Sequence, residues 1–173
     1  MQARRREQRR ERHVRRTVRI VCEGRAEEYF VKHVRSIYLV RRGNLVLSTR
    51  IAHGGGGLNA LRLAMAPRVR LGVDDVAIFI DTDTDWDDRQ REIAKHKRIH
   101  VLESEPCLEA WLLAVAGHVS TGDSANRKRT FAERFGADAH DEYIYAQNFD
   151  KATLDAARGR VPVLNRLLEL IGV

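Results

Sequence analysis

The sequence predicts an α/β fold, a parallel sheet sandwiched between helices on both of its faces. Two observations predict it. Short β-branched runs and helical-period segments alternate four times along the chain, the order that builds a parallel sheet with covering helices. The clearest run, Val76-Ala77-Ile78-Phe79-Ile80, is apolar throughout, as a strand buried on both faces must be.

Each element follows in order. Val18 to Cys22 reads as the first strand and stops at the turn Glu23-Gly24. Phe30, Val34, Ile37 and Tyr38 then recur at helical spacing. Leu45 to Ile51 reads as the second strand. His53 to Gly57 is a glycine-rich loop. Leu58, Leu61 and Met65 mark a second helix that ends near Pro67. Val76 to Ile80 is the third strand and runs into an acidic loop, Asp81 to Asp88. Arg89 to His96 is a short polar helix, and Ile99 to Leu102 is the fourth strand. Pro106 is expected to open the next helix, where its missing N–H costs nothing. Leu108, Trp111, Leu112 and Val115 keep that helix's period. Further helices are read over Arg127 to Phe135, Asp150 to Arg158 and Pro162 to Ile171, the last with Leu164, Leu167, Leu168 and Ile171 on one face.

A length of 173 residues suits one domain. The net charge of +7 is concentrated at the start, where Met1 to Arg19 hold nine arginines against two glutamates. The chain therefore divides into a basic, disordered arm over 1–17 and a folded domain over 18–173. The arm is either a solvated tail or a contact to nucleic-acid phosphates through Arg4, Arg5, Arg6, Arg9, Arg10, Arg12, Arg15 and Arg16. The two readings are compatible. Cys22 and Cys107 form no CxxC pair, which excludes a readable disulfide framework or zinc knuckle and suits the cytoplasm. No apolar leader region and no membrane-length apolar run is present.

In open parallel sheets the ligand site lies beyond the carboxyl ends of the strands. Here those ends carry acids. Glu23 follows the first strand, Asp81, Asp83 and Asp85 follow the third, and Glu103 and Glu105 follow the fourth. One acid after a strand commonly serves as a cap or turn residue. Carboxylates from three segments at one edge repel unless a cation joins them, and hard oxygen ligands suit Mg²⁺ or Mn²⁺. Asp81, Asp83, Asp85 and Glu92 also match part of a calcium loop. Trp86 stands where that loop needs glycine, and a strand precedes it. His53-Gly54-Gly55-Gly56-Gly57 could bring backbone close to phosphate, but no Gly-Lys-Ser/Thr follows it. His96 and His100 straddle a helix end and do not read as a zinc pair.

Three segments carry a resemblance. Val21-Cys22-Glu23-Gly24-Arg25-Ala26-Glu27-Glu28-Tyr29-Phe30 resembles the opening motif of RloB-like proteins of the Toprim superfamily. Ile80-Asp81-Thr82-Asp83 resembles their DxD motif. Ser104-Glu105-Pro106-Cys107-Leu108-Glu109-Ala110-Trp111-Leu112-Leu113 resembles their Ser-Asn-Pro-Cys-Phe-Glu-Leu-Trp-Leu-Leu segment, with Glu105 in place of asparagine. An arginine-rich stretch precedes the first strand in that family too. The likeness spans roughly Val18 to Val115.

The resemblance implies a Toprim-like, Rossmann-like fold and a Mg²⁺- or Mn²⁺-dependent nuclease associated with bacterial phage defence and restriction. It implies Glu23 as general acid or base and Asp81 with Asp83 as metal ligands, and it brings in Glu109 from a helix first turn. The second acid of the opening motif matches Glu27 by direct spacing, or Glu28 if two residues are missing. The wider metal set expected is Glu23, Glu27, Asp81, Asp83 and Asp85, with Lys151 as a transition-state cation or an ordinary surface lysine. The expected partner is RNA, tRNA included, or DNA. A non-catalytic nucleic-acid-binding subunit and a toxin subunit controlled by an ATPase partner are the alternatives, and a homodimer is allowed for.

Overall fold

The computed structural model describes residues 15–39, 44–83 and 85–173. Four strands form an all-parallel sheet in the order β2-β1-β3-β4: β1 (Arg16–Cys22), β2 (Leu45–Ile51), β3 (Asp75–Asp81) and β4 (His100–Ser104). Helix α1 (Arg25–Tyr38) joins β1 to β2. Helices α2 (Gly56–Met65) and α3 (Pro67–Arg70) lead to β3, and α4 (Asp88–His96) leads to β4. Then follow α5 (Leu108–Val115), α6 (Ser124–Phe135), α7 (Tyr143–Asn148), α8 (Lys151–Ala157) and α9 (Pro162–Leu170).

Alternation along the strands divides the core in two. Val18, Ile20 and Cys22 of β1 join Ala77, Phe79 and Leu102 under α1, α5 and the C-terminal helices. Val21, Ile78 and Ile80 face the other way, against Ala60, Leu61 and Ala64 of α2 and Ala94 of α4. Both faces are thus covered, as the apolar strands require. The first core is rich in rings. Phe30 meets Trp111 edge-on at 4.8 Å, and Tyr145 lies 5.8 Å from Phe30.

Tyr145 ties α7 to the rest. Its buried hydroxyl donates within reach of two carbonyls, Ala139 O at 2.7 Å and Ala26 O at 3.1 Å. Tyr145→Phe removes that donor and leaves a buried carbonyl unsatisfied. We expect a loss of about 1–2 kcal/mol, read as a drop of roughly 2–8 °C in melting temperature for a domain of this size. An unchanged melting curve would show that the hydroxyl is idle.

Several boundaries move relative to the sequence reading. Strand β1 opens at Arg16, not Val18, because Arg16 and Thr17 pair with Leu45 and Val46. The folded part therefore takes in two residues assigned to the arm. Arg16, expected as a phosphate contact, has protein partners: its guanidinium pairs with Asp75 at 2.7 Å and donates to Leu170 O at 2.9 Å. Arg15 is exposed. Arg4, Arg5, Arg6, Arg9, Arg10 and Arg12 lie outside the described residues. Strand β4 runs on to Ser104 and takes Glu103 into the sheet. The helix expected to open at Pro106 starts at Leu108, because Cys107 is still extended at φ −147° and ψ 166°. Helix α7 has no counterpart in the sequence reading. Among the described residues no helix is long and apolar enough to cross a membrane.

Candidate active site

The strand order reverses between β1 and β3, and the carboxyl ends of these two strands lie side by side. That is where an open parallel sheet leaves a crevice. Glu23 stands just past β1, with its N–H donating to Phe79 O of β3 at 2.9 Å. Asp81 is the last residue of β3. Thr82 and Asp83 are pinned by their N–H groups to Ser104 O and Pro106 O, at 3.0–3.2 Å. The β4–α5 link thereby fixes the DxD segment and brings in the first turn of α5.

Five carboxylates converge here. Glu23 accepts from Asp81 N at 3.1 Å. Glu27, buried in the first turn of α1, accepts from Gly24 N at 2.9 Å. Asp81 accepts from Leu108 N at 2.9 Å. Asp83 is exposed at the rim. Glu109 is only 6% exposed, and its Oε2 has no hydrogen-bond partner among the described residues. A buried, unpartnered carboxylate oxygen is costly, so this atom invites a cation or a proton.

The electrostatics agree. Burial, then the charges of Glu27, Glu109, Glu23 and Asp83, push the Asp81 carboxyl up to about 9. Burial is also the main cause that raises Glu23, with Asp83 and Asp85 adding to it. Glu27 is raised by burial and by Glu23 and Glu109. The cluster holds more negative charge than its surroundings compensate.

The structure sorts the acids that the sequence left open. Glu27, not Glu28, faces the cluster. Glu28 is held by Lys32 at 2.9 Å and Thr49 at 2.8 Å, which lower its pKa even against its partial burial. Asp85 turns to the amino end of α2, where Leu58 N donates at 3.4 Å, although its charge still reaches Glu23. A side chain on Gly56 would collide with the Asp85 carboxylate, and one on Gly57 would stand 2.9 Å from the Trp86 ring. The glycines of the His53–Gly57 loop thus let the acidic loop pack against α2. Glu103 is structural, bound by Trp86 Nε1 at 2.7 Å and Arg91 Nε at 2.8 Å. Glu105 is exposed.

Lys151, expected as a transition-state cation or an ordinary surface lysine, has partners of its own on the surface. It pairs with Asp155 one turn along α8 and sits over the Tyr38 ring at 5.1 Å. Among the described residues, Lys128 on α6 is a cation whose pKa responds to the cluster's charges. Lys128 is exposed; desolvation works to lower its pKa, but the charges of Glu109, Asp81 and Asp83 together outweigh this and raise it. Sequence reasoning passed over Lys128. It is an exposed lysine in a run of basic residues, and nothing in the sequence set it apart from its neighbours.

The donor set is all hard oxygen and suits Mg²⁺ or Mn²⁺, and the orphaned Glu109 oxygen fits such an ion. Among the described residues no three His, Cys, Asp or Glu side chains already stand at ligand spacing. The carboxylates of Glu23, Glu27 and Asp81 lean instead on backbone N–H groups, so gathering them around one ion requires side-chain rotation. No family model, curated protein or solved structure matches the chain.

Proposed function

We propose that this chain is a divalent-metal-dependent nuclease of the Toprim type, RloB-like, which hydrolyses phosphodiester bonds of RNA, tRNA included, or of DNA in bacterial phage defence. The observation that carries the reading is the buried Oε2 of Glu109, unpartnered among the described residues, inside a cluster of carboxylates at the sheet's reversal point. The three motif resemblances support the same reading, since their acids Glu23, Asp81, Asp83 and Glu109 are the ones that meet.

Asp81, Asp83 and Glu109 would hold Mg²⁺ or Mn²⁺. When bound, such an ion polarises a phosphoryl oxygen and lowers the pKa of a water. Glu23, raised above the ordinary carboxylate range and fixed by Asp81 N–H, can take or give a proton closer to neutrality, the property of a general acid or base. Glu27 adds negative charge beside Asp81. Lys128, whose pKa the charges of Glu109, Asp81 and Asp83 raise, would balance charge that develops on the transferring phosphoryl group.

The test is cleavage of tRNA, single-stranded DNA and duplex DNA with Mg²⁺, Mn²⁺ or EDTA, with the Glu23→Ala chain alongside to expose contaminating nuclease. Cutting that needs metal and is absent from the variant is the expected result. Salt-sensitive binding with no cutting under any condition would instead make the chain a binding subunit. Its activity would then be sought with an ATPase partner.

A further inference from the structure

Beside the carboxylate cluster lies a second feature with the opposite charge. A cavity of about 580 Å³ opens between the end of β2 and the helices α2 and α3, lined by Arg50, His53, Asn59, Arg68 and neighbouring apolar groups. Among the described residues no carboxylate lines it. Arg50 and Arg68 are both exposed, and neither forms an ion pair or side-chain hydrogen bond with the described residues. By contrast, Arg16, Arg19 and Arg91 spend their guanidinium groups on protein acceptors.

The cavity adjoins the cluster through the backbone. Ala52 N donates to Cys22 O at 2.8 Å, and Gly54 N reaches Glu23 O at 3.4 Å. One rim of the cavity is thus the chain that abuts Glu23. His53, on that rim, is held at φ 58°, a left-handed conformation that a residue with a side chain adopts at a cost. The loop holding it is fixed by Asn59, whose amide donates to Ala52 O at 2.9 Å and Gly54 O at 2.7 Å.

We infer that this cavity holds the phosphate backbone of the substrate strand next to the scissile bond, with Arg50 and Arg68 pairing with successive phosphates. The inference rests on the nuclease reading and adds where the strand runs. An anionic strand cannot approach a carboxylate cluster without compensating charge along its path. Guanidinium groups free of protein partners are suited to phosphate oxygens. The apolar wall formed by Ile51, Leu63 and Val69 gives the sugar or base a surface to lie against.

The experiment is binding of a fluorescent single-stranded oligonucleotide over a range of salt, in parallel with cleavage, for the full chain and two double variants. Arg50→Glu with Arg68→Glu reverses the cavity. Arg70→Glu with Arg166→Glu makes the same charge change at exposed positions of the sheet's other end. The cavity variant is expected to bind at least about tenfold more weakly, with a salt slope lower by roughly 0.7 for each phosphate that is no longer neutralised, while the distal variant stays near wild type. Equal losses in both variants, or none in the cavity variant, would overturn the inference and leave the nuclease reading standing if the wild type cuts. A wild type that neither binds nor cuts would overturn both.

Discussion

The Asp81→Asn chain is expected to melt higher than the wild type at pH 8 in EDTA, and to have lost metal-dependent cutting. Both outcomes come from one carboxyl. Burial and four neighbouring acids lift Asp81 from the usual 3.8 to about 9 in the folded chain, whereas the unfolded chain restores the ordinary value. Between these limits the folded state binds the extra proton. Stability is therefore greatest below the unfolded value and declines as pH rises toward 9. One such proton costs up to about 1.4 kcal/mol per pH unit, or roughly 3–6 °C per unit for a domain of this size. Glu23 and Glu27 are raised too and steepen the decline.

The groups with lowered values act elsewhere on the pH scale. Asp74, Asp150 and Asp155 gain hydrogen bonds when ionised, Asp155 also gains Lys151, and Glu28 gains Lys32 and Thr49. Their stabilisation is present above the unfolded carboxylate range and disappears only as pH falls below it. Between about pH 5 and 8.5 the cluster dominates the slope. Asn keeps an oxygen for Leu108 N–H and removes the charge, so it should flatten that slope. Mg²⁺ should raise the melting temperature of the wild type at pH 8, because a ligand of the folded state stabilises it by mass action, and should leave Asp81→Asn unmoved. Loss of a residue merely supporting a ligand already costs about 10–100-fold, so cutting should fall by more than about 100-fold. A wild type that gains stability from pH 5 to pH 8, or an Asn variant that melts lower there, would sink the account of the cluster.

The sequence showed the site better than it showed the substrate's surroundings. The parallel sheet was legible because strand and helix periods differ and β3 is apolar on both faces. The edge that carries the acids followed from that order alone. Whether an acid after a strand is a ligand or a structural group was not legible, since it depends on long-range partners. Glu103 is spent on Trp86 and Arg91, and Glu28 on Lys32 and Thr49. In the same way Arg16 is drawn into the sheet by an aspartate 59 residues away. Arg50 and Arg68 stood out in no motif, because a basic cavity is made by a strand end and a helix that meet only in the fold. Helix α7 escaped because Tyr143 to Asn148 is six residues long, too short for a period to declare itself.

Replacing Lys128 by alanine is expected to lower the turnover number by about 10²–10³-fold, with KM changed only a few-fold. The size is that of losing one preorganised donor to a developing charge. The reason lies in the cation's setting. The charges of Glu109, Asp81 and Asp83 raise the pKa of Lys128, so these acids and the ammonium stabilise one another. A cation that merely balanced ground-state repulsion would show its loss as lower stability at alkaline pH with turnover unchanged. One that also meets the transferring phosphoryl group would show it in turnover, because only charge that grows in the transition state lowers the barrier. Lys128→Arg keeps the charge in a different shape and should restore part of the rate. Lys151→Ala is the matched control: its ammonium serves Asp155 and Tyr38, so cutting should stay within about twofold of wild type, in keeping with the small worth of an exposed helical ion pair. Full turnover in Lys128→Ala would remove α6 from the reaction. Loss in Lys151→Ala instead would show that α8 comes to the substrate only when the nucleic acid is bound.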